Sequence, residues 1–161
     1  MKTFIVLMAL LVGGRAMACD IHSNADDAVA RVIHQRGFNL AGYDALCAKL
    51  KRADAELVIN EWEGRVGNNE VAFADVWVTN RAKSAFSLQY GNGVRYGGAL
   101  MADPDDLLYG AITDAIEALM SKGGLDTALA EVRASEHEHR LADAILDRDR
   151  ARKAQARKGA H

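Results

Sequence analysis

The chain is poor in the residues that most soluble catalytic and binding classes depend on. Two cysteines in 161 residues rule out a disulfide-dense scaffold and a Cys-rich zinc or iron–sulfur site. A single proline, Pro104, excludes Pro-rich linkers and polyproline recognition segments. There is no excess of positive charge: 20 Lys and Arg stand against 22 Asp and Glu, which argues against a nucleic-acid partner. No apolar run approaches the roughly 20 residues that a membrane-spanning helix needs.

Chemical motifs are equally sparse. The glycines of Gly91-Asn92-Gly93 and Gly97-Gly98 do not form a phosphate cradle, because strand-type residues follow them and no Lys-Ser/Thr pair accompanies them. His137 and His139, two apart on a helix, diverge by about 200° and so lack the i, i+4 spacing of a helical zinc site. Ser135, His139 and Asp143 would share one helix face, but acyl transfer also needs an oxyanion hole and a cleft. They read as a surface His–Asp pair. The sequence predicts no metal and no cofactor.

The chain does begin with an export signature. Lys2 supplies positive charge, Phe4–Val12 an apolar stretch, and Ala16-Met17-Ala18 a small-x-small cleavage site. Residues 1–18 are therefore read as a signal peptide, and cleavage after Ala18 delivers the chain to the periplasm or outside the cell. A pair of cysteines in an exported protein predicts a Cys19–Cys47 disulfide, which the chain-entropy relation values at roughly 3–4 kcal/mol. Cys19 directly after the cleavage site also admits a lipoprotein anchored through that residue. Bulky Met17 and Ala16 depart from the usual lipidation pattern.

Residues 19–147 read as one α+β domain: a four-stranded antiparallel meander sheet over about 56–101, packed by two N-terminal and two C-terminal helices. In the first hairpin a Gly67-Asn68 turn pairs Val66 with Asn69, Trp62 with Phe73, Asn60 with Asp75 and Val58 with Trp77. A one-residue slip would place Glu61 opposite Asp75, a like-charge pair. Apolar residues on both faces predict cover from both sides. A second hairpin is expected from Ser84–Tyr90 and Val94–Met101, turning at Gly91-Asn92-Gly93, with Phe86, Leu88 and Tyr90 on its buried side.

Ser23 or Asn24 would cap a first helix ending at Gly37, and a shorter one follows over Tyr43–Arg52. Asp103-Pro104-Asp105-Asp106 carries an N-cap, a first-turn proline and two acids, and opens a helix reaching about Lys122. A last helix starts at Asp126. Its apolar stripe thins to Leu141, Ile145 and Leu146, leaving 148–161 as a basic tail, frayed or disordered.

By elimination, the leading functional expectation is a periplasmic, non-enzymatic binding or interaction protein, of the inhibitor, immunity or envelope-assembly kind. Its partner would be a protein or an envelope component, touched through Gly91, Asn92, Gly93, Arg95, Tyr96 and Trp62. The aromatic residues Trp62, Phe73, Trp77 and Tyr96 are otherwise expected in the core. A small cell-wall hydrolase is the alternative, with Glu61, Glu63 and Asp75 as acid and base candidates beside Trp62. The third reading is a carrier that holds a small apolar ligand between sheet and helices.

Overall fold

A computed structural model describes residues 23–24, 27–98, 100 and 102–158. The elements run β1 (Ser23–Asn24), α1 (Asp27–Arg36), α2 (Tyr43–Ala53), β2 (Ala55–Val66), β3 (Asn69–Asn80), β4 (Phe86–Gly98), α3 (Pro104–Met120) and α4 (Gly124–Lys158). The fold is α+β. Strands β2, β3 and β4 form an antiparallel sheet, and the two-residue β1 adds to the outside of β2 in parallel, pairing Ser23 with Leu57.

The β2–β3 hairpin turns at Gly67, whose φ of 62° suits a residue without Cβ. Its register pairs Val66 with Asn69, Trp62 with Phe73, Asn60 with Asp75 and Val58 with Trp77. Glu61 thereby faces Ala74 rather than Asp75. The charge argument and the turn chemistry select the same pairing.

The second hairpin expected from the sequence does not form. Residues 86–98 are one continuous strand lying along β3, from Phe86 opposite Thr79 to Gly98 opposite Asn69. The glycines expected to turn the chain instead let a helix approach it. A Cβ on Gly93 would lie 2.1 Å from the Ala111 carbonyl oxygen, and one on Gly91 would lie 2.0 Å from that of Ala115. Small residues thus meet across the β4–α3 contact, glycine on the strand and alanine on the helix. The expected four-stranded meander is therefore a three-stranded one with a short parallel edge.

Ser23 and Asn24 belong to β1 and are not the helix cap expected from the sequence. Helix α1 ends where the Gly37 amide donates to the Ile33 carbonyl, with Gly37 at φ 67°. At α3 the Asp103 carboxylate accepts from the Asp105 amide and Pro104 takes the first helical position, as the local sequence requires. A single 3-10 turn, Ser121–Gly123, then reverses the chain into α4.

All four helices contribute to one core on one face of the sheet. Leu57, Ile59, Val76 and Val78 from the strands meet Leu108, Ile112, Ile116 and Leu119 of α3, and Val29, Val32, Leu46 and Leu50 of the N-terminal pair. Each such side chain contributes roughly 1.5–3 kcal/mol through removal from water. Ion pairs clip the layer together: Arg31 and Arg36 of α1 reach Asp105 and Asp106 of α3, and Lys49 of α2 reaches Asp126 of α4.

Helix α4 docks through Leu125, Ala128, Leu129 and Val132 and then leaves the body. From His137 to Lys153 every residue is exposed. The basic segment expected to fray or lose order continues this helix through Lys158, in keeping with its Ala, Arg, Lys and Gln content.

Candidate interaction surface

With every described helix on one side, the opposite face of the sheet is exposed over most of its length, while Glu56, Val58 and Thr79 at one end of it are buried. Strand alternation sends even-numbered residues of β2 and β4 and odd-numbered residues of β3 to this side. The register arranges them in rows: Val58, Trp77 and Tyr90; then Asn60, Asp75 and Asn92; then Trp62, Phe73 and Val94; then Gly64, Val71 and Tyr96. Two apolar and aromatic rows thus flank a polar row of amide, carboxylate and amide.

Trp62, Phe86, Leu88, Tyr90, Val94 and Tyr96 are all more than half exposed, Tyr96 at 74 % and Leu88 at 87 %. Single exposed apolar residues need no explanation, whereas a contiguous patch of this kind marks an interaction site. The Trp62 ring lies over Gly64, where a Cβ would come within 2.5 Å of it. The indole is therefore laid flat along the strand rather than projecting from it.

Leu88 owes its position to a bulge. Between Trp77–Tyr90 and Thr79–Phe86 the β3–β4 register shifts, leaving extra residues on β4. Glu131 of α4 holds this bulge by accepting from the Leu88 and Gln89 amides at 2.7 and 3.0 Å. The Ser87 hydroxyl turns inward, accepting from the Val78 amide and donating to the Gln89 carbonyl. Beside the bulge Asp75, Trp77, Ser87, Leu88 and Tyr90 line an open depression of about 320 Å³.

Asp75 stands at the centre. Its Oδ1 is shut off from solvent and accepts no hydrogen bond from the described residues. Burial holds its carboxyl above the usual carboxylate range. A carboxylate whose folded pKa is raised stabilises the fold below the unfolded pKa and loses that contribution as pH rises through the folded one. Asp75→Asn should therefore raise the urea midpoint at pH 7, and the gain should fade as pH falls through the raised folded pKa toward the ordinary carboxylate range, below which it is gone. A midpoint at pH 7 equal to or below that of the wild type would show that the ionised carboxylate has a stabilising partner.

The sequence-predicted residues are divided by the sheet. Trp62, Asn92, Tyr96 and Asp75 share the open face. Gly91 and Gly93 are buried beneath α3 and form no exposed loop. Arg95 points to the helix side, where its guanidinium makes two 2.6 Å hydrogen bonds to the Asp114 carboxylate. It fastens α3 to β4. Glu61 and Glu63 also lie on the helix side by strand alternation, so the sheet separates them from both Asp75 and Trp62. The expected grouping of two carboxylates beside an aromatic platform does not assemble.

Trp62 and Tyr96, expected in the core, are exposed. Phe86, Leu88 and Tyr90, expected on the buried side, face solvent, because α3 takes the glycine side of β4. Between sheet and helices, where the carrier reading places an apolar ligand, lie the core side chains named above. His139 and Asp143 come together with Glu136, Arg140, Asn80 and Ser84 around a second depression of about 310 Å³, and Ser135 does not line it.

Cys47 is buried on α2, and no described cysteine is a free thiol. Cys19 and the whole of residues 1–18 lie outside the described residues, as do residues 159–161 at the end of the basic segment. Among the described residues no group of three His, Cys, Asp or Glu side chains could hold a metal ion, and no helix is long and apolar enough to cross a membrane.

Sequence reasoning overlooked Phe86, Leu88, Tyr90 and Val94 as surface groups. The signal was present: Phe86, Leu88, Tyr90, Asn92, Val94 and Tyr96 keep strict period-two spacing through both glycines, which a hairpin turn would interrupt. Comparison of the chain with protein-family models, with curated proteins and with solved structures found no match.

Proposed function

We propose that this chain is an exported, non-enzymatic interaction protein whose docking surface is the open face of its sheet. One observation carries the reading: six large apolar residues, Trp62, Val94 and Tyr96 on one side of the polar row and Phe86, Leu88 and Tyr90 on the other, stand more than half exposed on one face of a well-paired sheet. Leaving such a face to water forfeits the burial that would otherwise stabilise the domain. Its retention is explained by a partner that covers it. The aromatic content is typical of interface centres, where Trp and Tyr supply large contact area at low entropic cost.

Export rests on the sequence: the Lys2, Phe4–Val12 and Ala16-Met17-Ala18 pattern, with release after Ala18 into the periplasm or beyond. A Cys19–Cys47 bridge belongs to the same reading. It is supported by the burial of Cys47 and the absence of a free thiol among the described residues.

Immobilised wild-type chain and its Trp62→Ser, Tyr96→Ser variant are to be compared for protein retained from an envelope extract of the source cells. Species held by the wild type and lost by the variant are expected. Equal retention by both, or none by either, would overturn the docking assignment.

A further inference from the structure

Among the described residues the open face and the outer end of α4 both lack a packing partner, and the second matches the first. Helix α4 leaves the body after Val132, and the 22 residues from His137 to Lys158 extend it by about 33 Å. Helices in proteins draw most of their stability from a packed apolar face, and this one packs against nothing described. It does have an apolar stripe, turned the wrong way for its own domain. Leu141 is nine residues beyond the buried Val132, about 180° round the axis, so it looks away from the core. Ile145, Arg148 and Arg152 follow Leu141 at i+4, i+7 and i+11, on the same line. Leu141 and Ile145 are more than half exposed.

The open sheet face has the complementary character. Among its described strand residues Glu56 and Asp75 are the only charged ones, and Glu56 is buried, so the face offers apolar surface around the single acidic group of Asp75. The outer line of α4 is apolar and then purely basic.

We propose that the outer stripe of α4 from one copy, Leu141 and Ile145 followed by Arg148 and Arg152, docks on the open sheet face of a second copy. Leu141 and Ile145 lie on the Trp62, Val94 and Tyr96 rows, and an arginine reaches the half-buried Asp75 carboxylate in the neighbouring row. This is helix-in-groove recognition made between identical chains. The exposed aromatic and aliphatic groups offer on the order of 700 Å² per face, close to the ~800 Å² per partner of a standard interface. Reciprocal exchange of the two helices closes a dimer, and one-way exchange builds a chain of subunits. The assignment rests on the docking role of the open face and names its occupant.

Sedimentation equilibrium of the full chain over a concentration series tests it, with two variants: Trp62→Ser, Tyr96→Ser on the face and Leu141→Ser, Ile145→Ser on the helix. All four sites are exposed, and unchanged circular dichroism establishes that both variants fold. Self-association of the wild type is expected, with the dissociation constant raised at least about tenfold in each variant. An equimolar mixture should regain heteroassociation, since one variant keeps its helix and the other its face. A wild type monomeric throughout, variants that associate as it does, or a mixture with no recovery would each overturn the pairing of helix with face. If the wild type is monomeric while envelope capture still depends on Trp62 and Tyr96, the self-docking assignment falls and the docking surface stands.

Discussion

Gly93→Ala should unfold at a markedly lower urea concentration than the wild type, with a loss of about 3 kcal/mol. The new Cβ would stand 2.1 Å from the Ala111 carbonyl oxygen and 2.9 Å from the Ala115 amide nitrogen. Both are backbone atoms of α3, so no rotamer change relieves the overlap and the helix itself must move off the strand. Leu108, Ile112, Ile116 and Leu119 on that helix are fully buried, and displacement would open gaps along the whole core. Gly91→Ala meets the Ala115 oxygen at 2.0 Å and should cost as much, the two effects being coupled through one helix. Gly98→Ala is the control: nothing lies within 4 Å of its Cβ position, and the change should stay within about 0.5 kcal/mol. If Gly93→Ala matched Gly98→Ala, residues 91–93 would have to be the turn that the glycine spacing alone implies.

Asn80→Ala should cost about 2–4 kcal/mol, the largest effect expected of any polar side chain here. Asn80 is buried at the end of β3 and uses all of its amide. Its oxygen accepts from the Ser84 and Ala85 amides, and its nitrogen donates to the Ser84 hydroxyl and to Glu136 of α4 at 2.7 Å. Truncation leaves the buried Ala85 amide without its side-chain acceptor and frees the β3–β4 connection from α4. Asn80→Asp keeps the acceptor but sets a carboxylate against Glu136, so it should recover only part of the loss at pH 7 and more of it in acid. A urea midpoint for Asn80→Ala within experimental error of the wild type would show that this network carries no stability.

How much of this could be read in advance follows from where each signal is local. The β2–β3 register was legible because a two-residue glycine turn and an avoided Glu61–Asp75 pairing agree. The start of α3 was legible because Asp103 and Pro104 act within one turn. Strand β4 was misread because glycine serves both turns and close approaches: the period-two spacing from Phe86 to Tyr96 spoke for one continuous strand, and the tertiary match of Gly91 and Gly93 to Ala115 and Ala111 gives the reason for the glycines. The exposure of Trp62 and Tyr96 was equally hidden: aromatic alternation marks a sheet face, while the side on which four helices settle is a property of the whole chain. Strand parity did place Glu61 and Glu63 away from Trp62, and that inference was available from the sequence.

The central claim is that the Trp62 and Tyr96 side of the sheet serves docking and not the fold. It is tested most directly by the urea midpoint of the isolated Trp62→Ser, Tyr96→Ser variant, measured at a concentration too low for association. A midpoint near that of the wild type is expected, since both side chains are already more than half in water. A loss of several kcal/mol, of the size expected for Gly93→Ala, would contradict it by making that face part of the core.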